Sequence, residues 1–596
     1  MFDKIHLLPD GNKMKTGLVL LLFAFLNACS EDNEGISRKD IEVVPGKAEV
    51  VADTVLTSGK IYTGNPEQAW AEALAIKDGQ IIYVGDAKEA QEFIGNNTER
   101  RDLSGRFVMP GIIDAHVHPA WGGIKALYQC NFPFTATPDE IAATISKCVE
   151  EQPDAEWIRG GQWTSDFFVN NDIGSPRLWL DRLSDDKAIL LRDDSGHNMW
   201  VNSRALELAG INSDSEDPDG GSYARETGSR QPNGLLIEAY TAMNKIVPEW
   251  DQASYQAGAQ YSVNHANELG ITGFKDASAS EPEVKGFYNL DQQGELTAHV
   301  ASCLYEAVGD NKNALDIEKF ITLRDRYKSE HVLTNFVKIF LDGVPTASRT
   351  AAMLAPYLPE HEGAEDNYGS LHLSPEELTK AVIGLDKAGF TVKIHAAGDR
   401  AIRVSLDAIE AARETNGRSG LRHELAHAEL IDPADIPRFA ELNVVADFSP
   451  YIWFPSPIVD SLIGAVGDRI DQAWPARALL DNNAPMLAGS DWPSAVPDMN
   501  PWTGMEALIT RADPLHRYPG TIGKEHALTL KEAISIYTLS GARALKIAGK
   551  TGTLEVGKLA DFIVLNHNLF EIPADQISDT SVDMTFFEGK LVYRKP

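Results

Sequence analysis

The stretch Val-Met-Pro-Gly-Ile-Ile-Asp-Ala-His-Val-His-Pro, residues 108–119, decides how the rest of the chain is interpreted. Its apolar run predicts a buried strand that ends in His116 and His118. Because side chains alternate between the two faces of a strand, both imidazoles point the same way, together with Asp114. Two neighbouring imidazoles can hold a divalent metal ion. The alternative is a strand end whose histidines only face solvent.

This stretch resembles the first metal-binding strand of the amidohydrolase superfamily. Later segments resemble amidohydrolase family 3, the branch that includes N-substituted formamide deformylase. The resemblance extends from about Ala52 to the C-terminus. It implies a metal-dependent hydrolase whose metal centre lies at the mouth of a barrel.

Strand-like and helical patterns alternate through the middle of the chain. We predict eight strands, at residues 108–118, 270–278, 298–304, 336–342, 390–397, 424–429, 444–449 and 485–491. Such alternation is typical of an α/β protein with a (β/α)₈ TIM barrel, whose functional groups lie at the carboxyl ends of the strands. We assign the barrel to residues 108–549.

Two further regions are predicted around the barrel. Residues 120–265 are too long for one crossover helix, so we expect an insertion over the barrel mouth that shapes the substrate pocket. Its candidate pocket residues are Trp163, His197 and Glu238, for which ordinary packing is the alternative role. Short β-type runs at both chain ends, residues 52–107 and 550–596, predict one small composite β-sandwich.

The resemblance assigns a metal centre to residues in or at the end of the predicted strands. The implied ligands are His116, His118, Lys338, His395, His427 and Asp491. Asp491 would also act as the general base. Lys338 would react with carbon dioxide to become a bridging carbamate, and the alternative is an unmodified lysine that neutralises a carboxylate. Zinc or another divalent metal, one or two ions per chain, is the expected cofactor.

Two positions leave alternatives open. Relatives usually have Glu before the sixth-strand histidine, but this chain has Ala426. His423 therefore competes with His427, although our register favours His427. Arg349, which follows the fourth strand, is either a substrate-binding residue or part of a structural salt bridge.

Composition restricts the partners. Of 596 residues, 54 are Lys or Arg and 87 are Asp or Glu, which gives a net charge of −33. Such a surface repels nucleic acid and anionic membranes, so we expect a small-molecule substrate. The four cysteines include no C-x-x-C pair, which argues against a thiolate zinc site. Cys130 and Cys148 either pair in an oxidising compartment or remain free thiols.

The N-terminal residues predict an export signal. Residues 17–26 are apolar and follow Lys13 and Lys15, and the Leu-Asn-Ala-Cys that ends at Cys29 resembles a bacterial lipobox. The resemblance implies a signal peptide over residues 1–29, lipidation of Cys29, a flexible tether over residues 30–51, and a lipid-anchored protein of the bacterial cell envelope, periplasmic or outer-membrane. A plain signal peptide with an incidental cysteine is the alternative.

The predicted activity is hydrolysis of a carbon–nitrogen bond other than a peptide bond, in an amide or an N-substituted formamide. A deaminase or lactonase with the same metal centre is an alternative, since a fold does not determine a function. A non-catalytic binding lipoprotein of the cell envelope is another, but such a protein has no need of Asp491.

Overall fold

The barrel is the central part of the fold. The computed structural model describes residues 50–596 except 165, 219, 240, 307–314, 360 and 495, so the predicted signal peptide with Cys29 and most of the predicted tether lie outside the described residues. Eight parallel strands form one sheet in which neighbours in the chain are neighbours in the sheet. They are β1 Ile112–Val117, β2 Ile271–Ala279, β3 His299–Leu304, β4 Val332–Phe340, β5 Thr391–Ala396, β6 Glu424–His427, β7 Val445–Phe448 and β8 Met486–Ala488.

The sheet closes between β8 and β1. Asp491 donates its backbone N–H to the carbonyl of His116 at 2.7 Å, and His118 donates to the carbonyl of Trp492 at 2.8 Å. A Cβ atom at Gly489 would collide with the backbone nitrogen of His116, so this approach requires glycine. The predicted (β/α)₈ TIM barrel is thus confirmed.

Helices follow the barrel strands and cover the outside of the sheet. The main ones are Gln252–Glu268, Glu281–Gln293, Ile317–Tyr327, Pro375–Lys387, Asp399–Asn416, Ile436–Glu441, Pro457–Val466, Ala476–Asp481 and Pro501–Thr510. Several begin with a capping box, in which a Ser or Thr side chain and a Glu three residues later bond to each other's backbone N–H. In the part of the chain that the structure describes, no helix is both long and apolar enough to cross a membrane.

The predicted first strand, residues 108–118, is in fact two strands separated by Gly111. Phe107–Pro110 pairs with Phe562–Leu565, whereas β1 pairs with β2. The β-sandwich strand therefore leads directly into the barrel, because the chain changes sheets at Gly111. A continuous apolar sequence gives no sign of this change.

Strands from both chain ends build the small β-sandwich. Its six-stranded sheet contains Lys60–Tyr62, Trp70–Ala71, Phe107–Pro110, Phe562–Leu565, Val582–Phe587 and Lys590–Arg594. Its four-stranded sheet contains Thr54–Thr57, Ala73–Lys77, Gln80–Gly85 and Glu99–Asp102. Leu56 and Leu74 of the smaller sheet share a buried core with Val108 and Phe562 of the larger one.

The chain between β1 and β2 forms a sheet of its own. The helix Pro119–Tyr128 is followed by six strands at Cys130–Asn131, Trp157–Trp163, Ala188–Asp193, Asn198–Val201, Ser222–Arg225 and Pro232–Ile237. A disulfide between Cys130 and Cys148 joins the edge strand to the helix Pro138–Glu151, which decides the alternative that the sequence left open. Cys303 is a buried free thiol in β3.

Candidate metal centre

The closed barrel brings the two histidines of β1 to the aspartate that follows β8. His116 Nε2 lies 3.3 Å and His118 Nε2 lies 3.2 Å from Asp491 Oδ1. His427, at the end of β6, places its Nδ1 4.0 Å from Asp491 Oδ2. Ligand atoms of His116, His427 and Asp491 all lie within 4.8 Å of one another. This spacing can accommodate one divalent ion.

Three buried polar atoms of this cluster support the same interpretation. Among the described residues, His395 Nδ1 has no hydrogen-bond partner, and His116 Nε2 and Asp491 Oδ1 have none of good geometry although these two atoms lie 3.3 Å apart. Buried polar atoms nearly always have one. Imidazole nitrogens and a carboxylate oxygen are preferred zinc ligands, so the atoms that lack protein partners are the ones that a divalent metal would take up.

Backbone conformation also marks the site. His427 and Asp491 have φ angles of 73° and 61°, in the left-handed region that side-chain-bearing residues seldom adopt. Such conformations cost about 1–3 kcal/mol each and persist where the surrounding structure holds them. The barrel-closing hydrogen bond from Asp491 to His116 is one such restraint.

Electrostatics favour the metal-binding forms of Asp491, His118, His395 and His427. Burial alone would raise the pKa of Asp491, but His116 and His118 hold it well below its usual range, so Asp491 is a carboxylate at neutral pH. Burial lowers the pKa of His118, and that of His395 and His427 well below the ordinary value, which keeps these imidazoles neutral. Neutral imidazole and ionised carboxylate are the forms that bind metals.

Lys338 and His395 complete the predicted ligand set. His395 donates from Nε2 to the carbonyl of Gly343 at 3.1 Å, which leaves Nδ1 as its ligand atom. Lys338 in β4 is 2% exposed, and both residues line the cavity at the barrel mouth. Burial, and then the nearby charge of Lys393, lower the pKa of Lys338 to about 8. A larger fraction of its amine is therefore unprotonated, the form able to react with carbon dioxide.

The ligands open into a cavity of about 500 Å³ between the barrel and the insertion. One wall is aromatic and aliphatic, and it includes Trp121, Tyr305, Phe340, Ile458 and Trp474. The size and the apolar lining suit a small organic ligand.

Comparison with known proteins places this chain in a family. The model of the amidohydrolase family matches residues 99–593. The chain belongs to the amidohydrolase family. This agrees with the family 3 resemblance of the sequence, and it makes the protein a hydrolase.

Relatives and solved structures cover nearly all of this amidohydrolase. It is 30% identical over 559 residues to Protein LONG AFTER FAR-RED 3 of Arabidopsis thaliana, with 92% of each chain covered. It is 25% identical over 558 residues to N-substituted formamide deformylase of Arthrobacter pascens, covering 91% of this chain and 98% of that protein. The fold resembles that of an uncharacterized metal-dependent hydrolase from Pyrococcus horikoshii, with a TM-score of 0.68, 23% identity and coverage of 87% and 99% of the two chains.

The insertion contributes His197 to the cavity wall of the amidohydrolase. His197 Nδ1 lies 3.0 and 3.1 Å from the two carboxylate oxygens of Glu238, which also accepts a hydrogen bond from Thr350 Oγ1 at 2.9 Å. Burial lowers the pKa of His197, but Glu238 and Asp193 outweigh burial and raise it to about 9. Two residues suggested by the sequence, His197 and Glu238, therefore form one unit.

Two other predicted candidates lie elsewhere in the amidohydrolase. Trp163 is 2% exposed in the core of the insertion, donates to the carbonyl of Leu191 at 3.3 Å and does not line the cavity. Arg349 also lies outside the cavity lining and donates to the carbonyl of Ala347 at 3.1 Å. Trp163 and Arg349 thus lie outside the residues that line this cavity, and a role of either in substrate binding stays a prediction.

The competition between His423 and His427 is also decided. His423 accepts a hydrogen bond from the backbone of Val392 and lies 3.0 Å from the carboxylate of Asp386, so both ring nitrogens have protein partners. His427 lines the cavity. His427 also belongs to the cluster with His116 and Asp491. The structure therefore favours His427 as the sixth-strand candidate, although Ala426 precedes it.

Sequence reasoning missed a carboxylate behind the metal ligands. Asp447 in β7 lies with Oδ2 2.7 Å from Nδ1 of His116, and both side chains are fully buried. A carboxylate that accepts a hydrogen bond from the second ring nitrogen of a ligand histidine orients the ring and selects its tautomer. The available signal was a charged residue within the apolar run Val-Val-Ala-Asp-Phe, since ionised groups are rarely buried without partners.

Proposed function

We propose that this amidohydrolase uses a divalent metal to hydrolyse a carbon–nitrogen bond other than a peptide bond, in an amide or an N-substituted formamide. The observation that carries the proposal is the convergence of ligand atoms of His116, His427 and Asp491, all within 4.8 Å of one another, at a cavity that His395 also lines. The relative named N-substituted formamide deformylase supports the substrate class.

The proposed ligands divide between two metal ions. His116, His118 and Asp491 would hold the more buried ion, and His395 and His427 a second one, with zinc as the proposed metal. A carbamate on Lys338 would bridge the two ions, because it supplies anionic oxygens where an ammonium would repel cations. When bound, such a metal lowers the pKa of water to about 7 and polarises a carbonyl group.

The residues of the chain supply the proton transfers. Asp491 is ionised, so its carboxylate accepts a proton from the attacking water and then gives that proton to the departing nitrogen. The apolar wall that contains Trp121 and Phe340 binds the substituent on that nitrogen and excludes water. His197 from the insertion, held by Glu238, faces the cavity as a substrate-binding residue.

Localisation is a separate proposal. Lipidation of Cys29 would anchor the enzyme in the cell envelope of a bacterium, and this rests on the lipobox-like sequence alone.

A substrate panel tests the activity. The zinc-loaded full chain is incubated with N-substituted formamides, other secondary amides, aminated heterocycles and lactones, and formate, amine, ammonia and acid release are measured separately. We expect amine release from amides or formamides, and loss of that release in Asp491→Asn. Ammonia release from heterocycles or turnover of lactones alone would replace the proposal by a deaminase or a lactonase. No turnover by a zinc-loaded protein would favour a binding lipoprotein.

A further inference from the structure

Four charged side chains lie in the barrel interior behind His116. Lys275 of β2, Glu424 of β6, Lys393 of β5 and Asp447 of β7 are each at most 1% exposed. Two cations and two anions give this group no net charge. Burying four ions is costly unless each is paired, and replacing such groups by apolar residues is often neutral or stabilising. The fold alone therefore does not explain why they are there.

The four residues form an unbroken chain that ends at a metal ligand. Lys275 Nζ pairs with Glu424 Oε1 and also donates to the carbonyl of Ala544 at 2.8 Å. Lys393 Nζ lies 2.9 Å from Glu424 Oε2 and donates a short hydrogen bond to Asp447 Oδ2. That same oxygen lies 2.7 Å from His116 Nδ1.

Oδ2 of Asp447, which Lys393 also contacts, fixes which ring nitrogen of His116 faces Asp447. A carboxylate oxygen only accepts, so Nδ1 of His116 donates to Asp447, and Nε2, 3.3 Å from Asp491 Oδ1, is the ring nitrogen that would bind a metal. Oδ1 of Asp447 has no hydrogen-bond partner among the described residues. Lys393 is therefore the group that holds Asp447 at the angle His116 requires.

We infer that Lys393 is a positioning residue for the metal centre, and that it acts through Asp447 on His116. Lys393 restrains the carboxylate through Oδ2, the same oxygen that faces His116. Glu424, which is paired with Lys275, in turn restrains Lys393. Four strands of the barrel are thus coupled to the orientation of one ligand on β1. The inference rests on the proposed function, because it requires a metal at Nε2 of His116.

A matched pair of substitutions tests the inference. Lys393→Met and Lys275→Met each remove one buried cation from the same network, but only Lys393 contacts Asp447. The zinc dissociation constant of each full-length variant is measured by competition with a chelator, below the unfolding temperature of both. Loss of an outer partner of a ligand histidine typically weakens metal binding 10–100-fold. We expect about 10-fold weaker binding in Lys393→Met and less than about 3-fold in Lys275→Met.

The possible results separate the interpretations. Equal zinc affinities in the two variants would overturn the inference, since a purely structural network predicts similar losses of stability and no difference in affinity. If Lys393→Met does not fold, Asp447→Asn replaces it, because the amide keeps the shape of the side chain but weakens the bond to Lys393. Unchanged affinity in that variant also overturns the inference. Failure of the unsubstituted chain to bind zinc would instead refute the metal centre itself.

Discussion

At the scale of single residues, the candidate metal centre depends on histidines in which one ring nitrogen bonds to protein and the other is left for a metal. His395 donates from Nε2 to a carbonyl and His116 donates from Nδ1 to Asp447, so the remaining nitrogen of each ring faces the cluster. Sequence resemblance pointed to His116, His395 and Asp491 because each stands in a motif at the end of a predicted strand. The ends of barrel strands converge, so correct placement of the strands brings such residues to one rim. It could not identify Asp447 or Lys393, since their importance arises from contacts between strands that are distant in the chain.

Asp491 provides the residue-scale prediction. Asp491→Asn keeps the size of the side chain but removes the carboxylate that accepts the proton. We expect kcat to fall by about 10²–10⁴-fold, the usual contribution of a general base. Initial rates on the best substrate of the panel measure this, and zinc content is determined in parallel so that loss of metal is distinguished from loss of the base. A variant that retains metal and full kcat would exclude Asp491 as the base.

At the scale of elements, the eight strands were predictable and their junctions were not. Apolar runs that end in a polar residue identified β1 to β8. The continuous apolar sequence around Gly111, however, concealed the point at which the chain changes from one sheet to the other. The insertion was recognisable from its length, whereas its separate six-stranded sheet and the burial of Trp163 depend on pairings that the local sequence does not encode. The disulfide was undecided because cysteine positions do not give connectivity.

The disulfide gives the element-scale prediction. Cys130 and Cys148 are 18 residues apart in the chain. Closing a loop of about this size stabilises a fold by roughly 3 kcal/mol. We expect Cys148→Ser to lower the unfolding temperature of the oxidised protein and leave its zinc content unchanged.

Reducing agent should lower the unfolding temperature of the unsubstituted chain but have no further effect on Cys148→Ser. Cys303→Ala, which alters the buried free thiol, is the matched control and should retain the sensitivity to reduction. Insensitivity of the unsubstituted chain to reduction would show that the bond does not stabilise the protein.

At the scale of the whole molecule, ionised side chains join the β-sandwich to the barrel. His331, which precedes β4, places Nδ1 2.6 Å from Asp291 and Nε2 3.1 Å from Glu588. Asp291 belongs to the helix after β2, and Glu588 lies between the last two strands of the β-sandwich. Burial lowers the pKa of His331, but Glu588 and Asp291 outweigh burial and raise it to about 9.

The contacts of His331 with Asp291 and Glu588 predict that the free energy of unfolding depends on pH. Because the pKa of His331 is raised on folding, its contribution is fully present below about pH 6.5 and is lost as the pH rises through about 9. We expect the free energy of unfolding to fall over this interval by on the order of 2 kcal/mol more in the unsubstituted chain than in His331→Gln. Denaturant unfolding at pH 6 and pH 10 measures the difference. Identical pH dependences of the unsubstituted chain and His331→Gln would show that the contacts of His331 with Asp291 and Glu588 add no stability.

The metal content of the protein tests whether His116 and its neighbours hold a divalent ion. Elemental mass spectrometry of the full chain, purified without chelator, is compared with His116→Ala and with His361→Ala, which alters an exposed histidine. We expect about one or two zinc or other divalent ions per chain in the unsubstituted protein and in His361→Ala, and loss of metal in His116→Ala. Protein that holds no divalent ion and cannot be reloaded, or an equal content in His116→Ala, would contradict it.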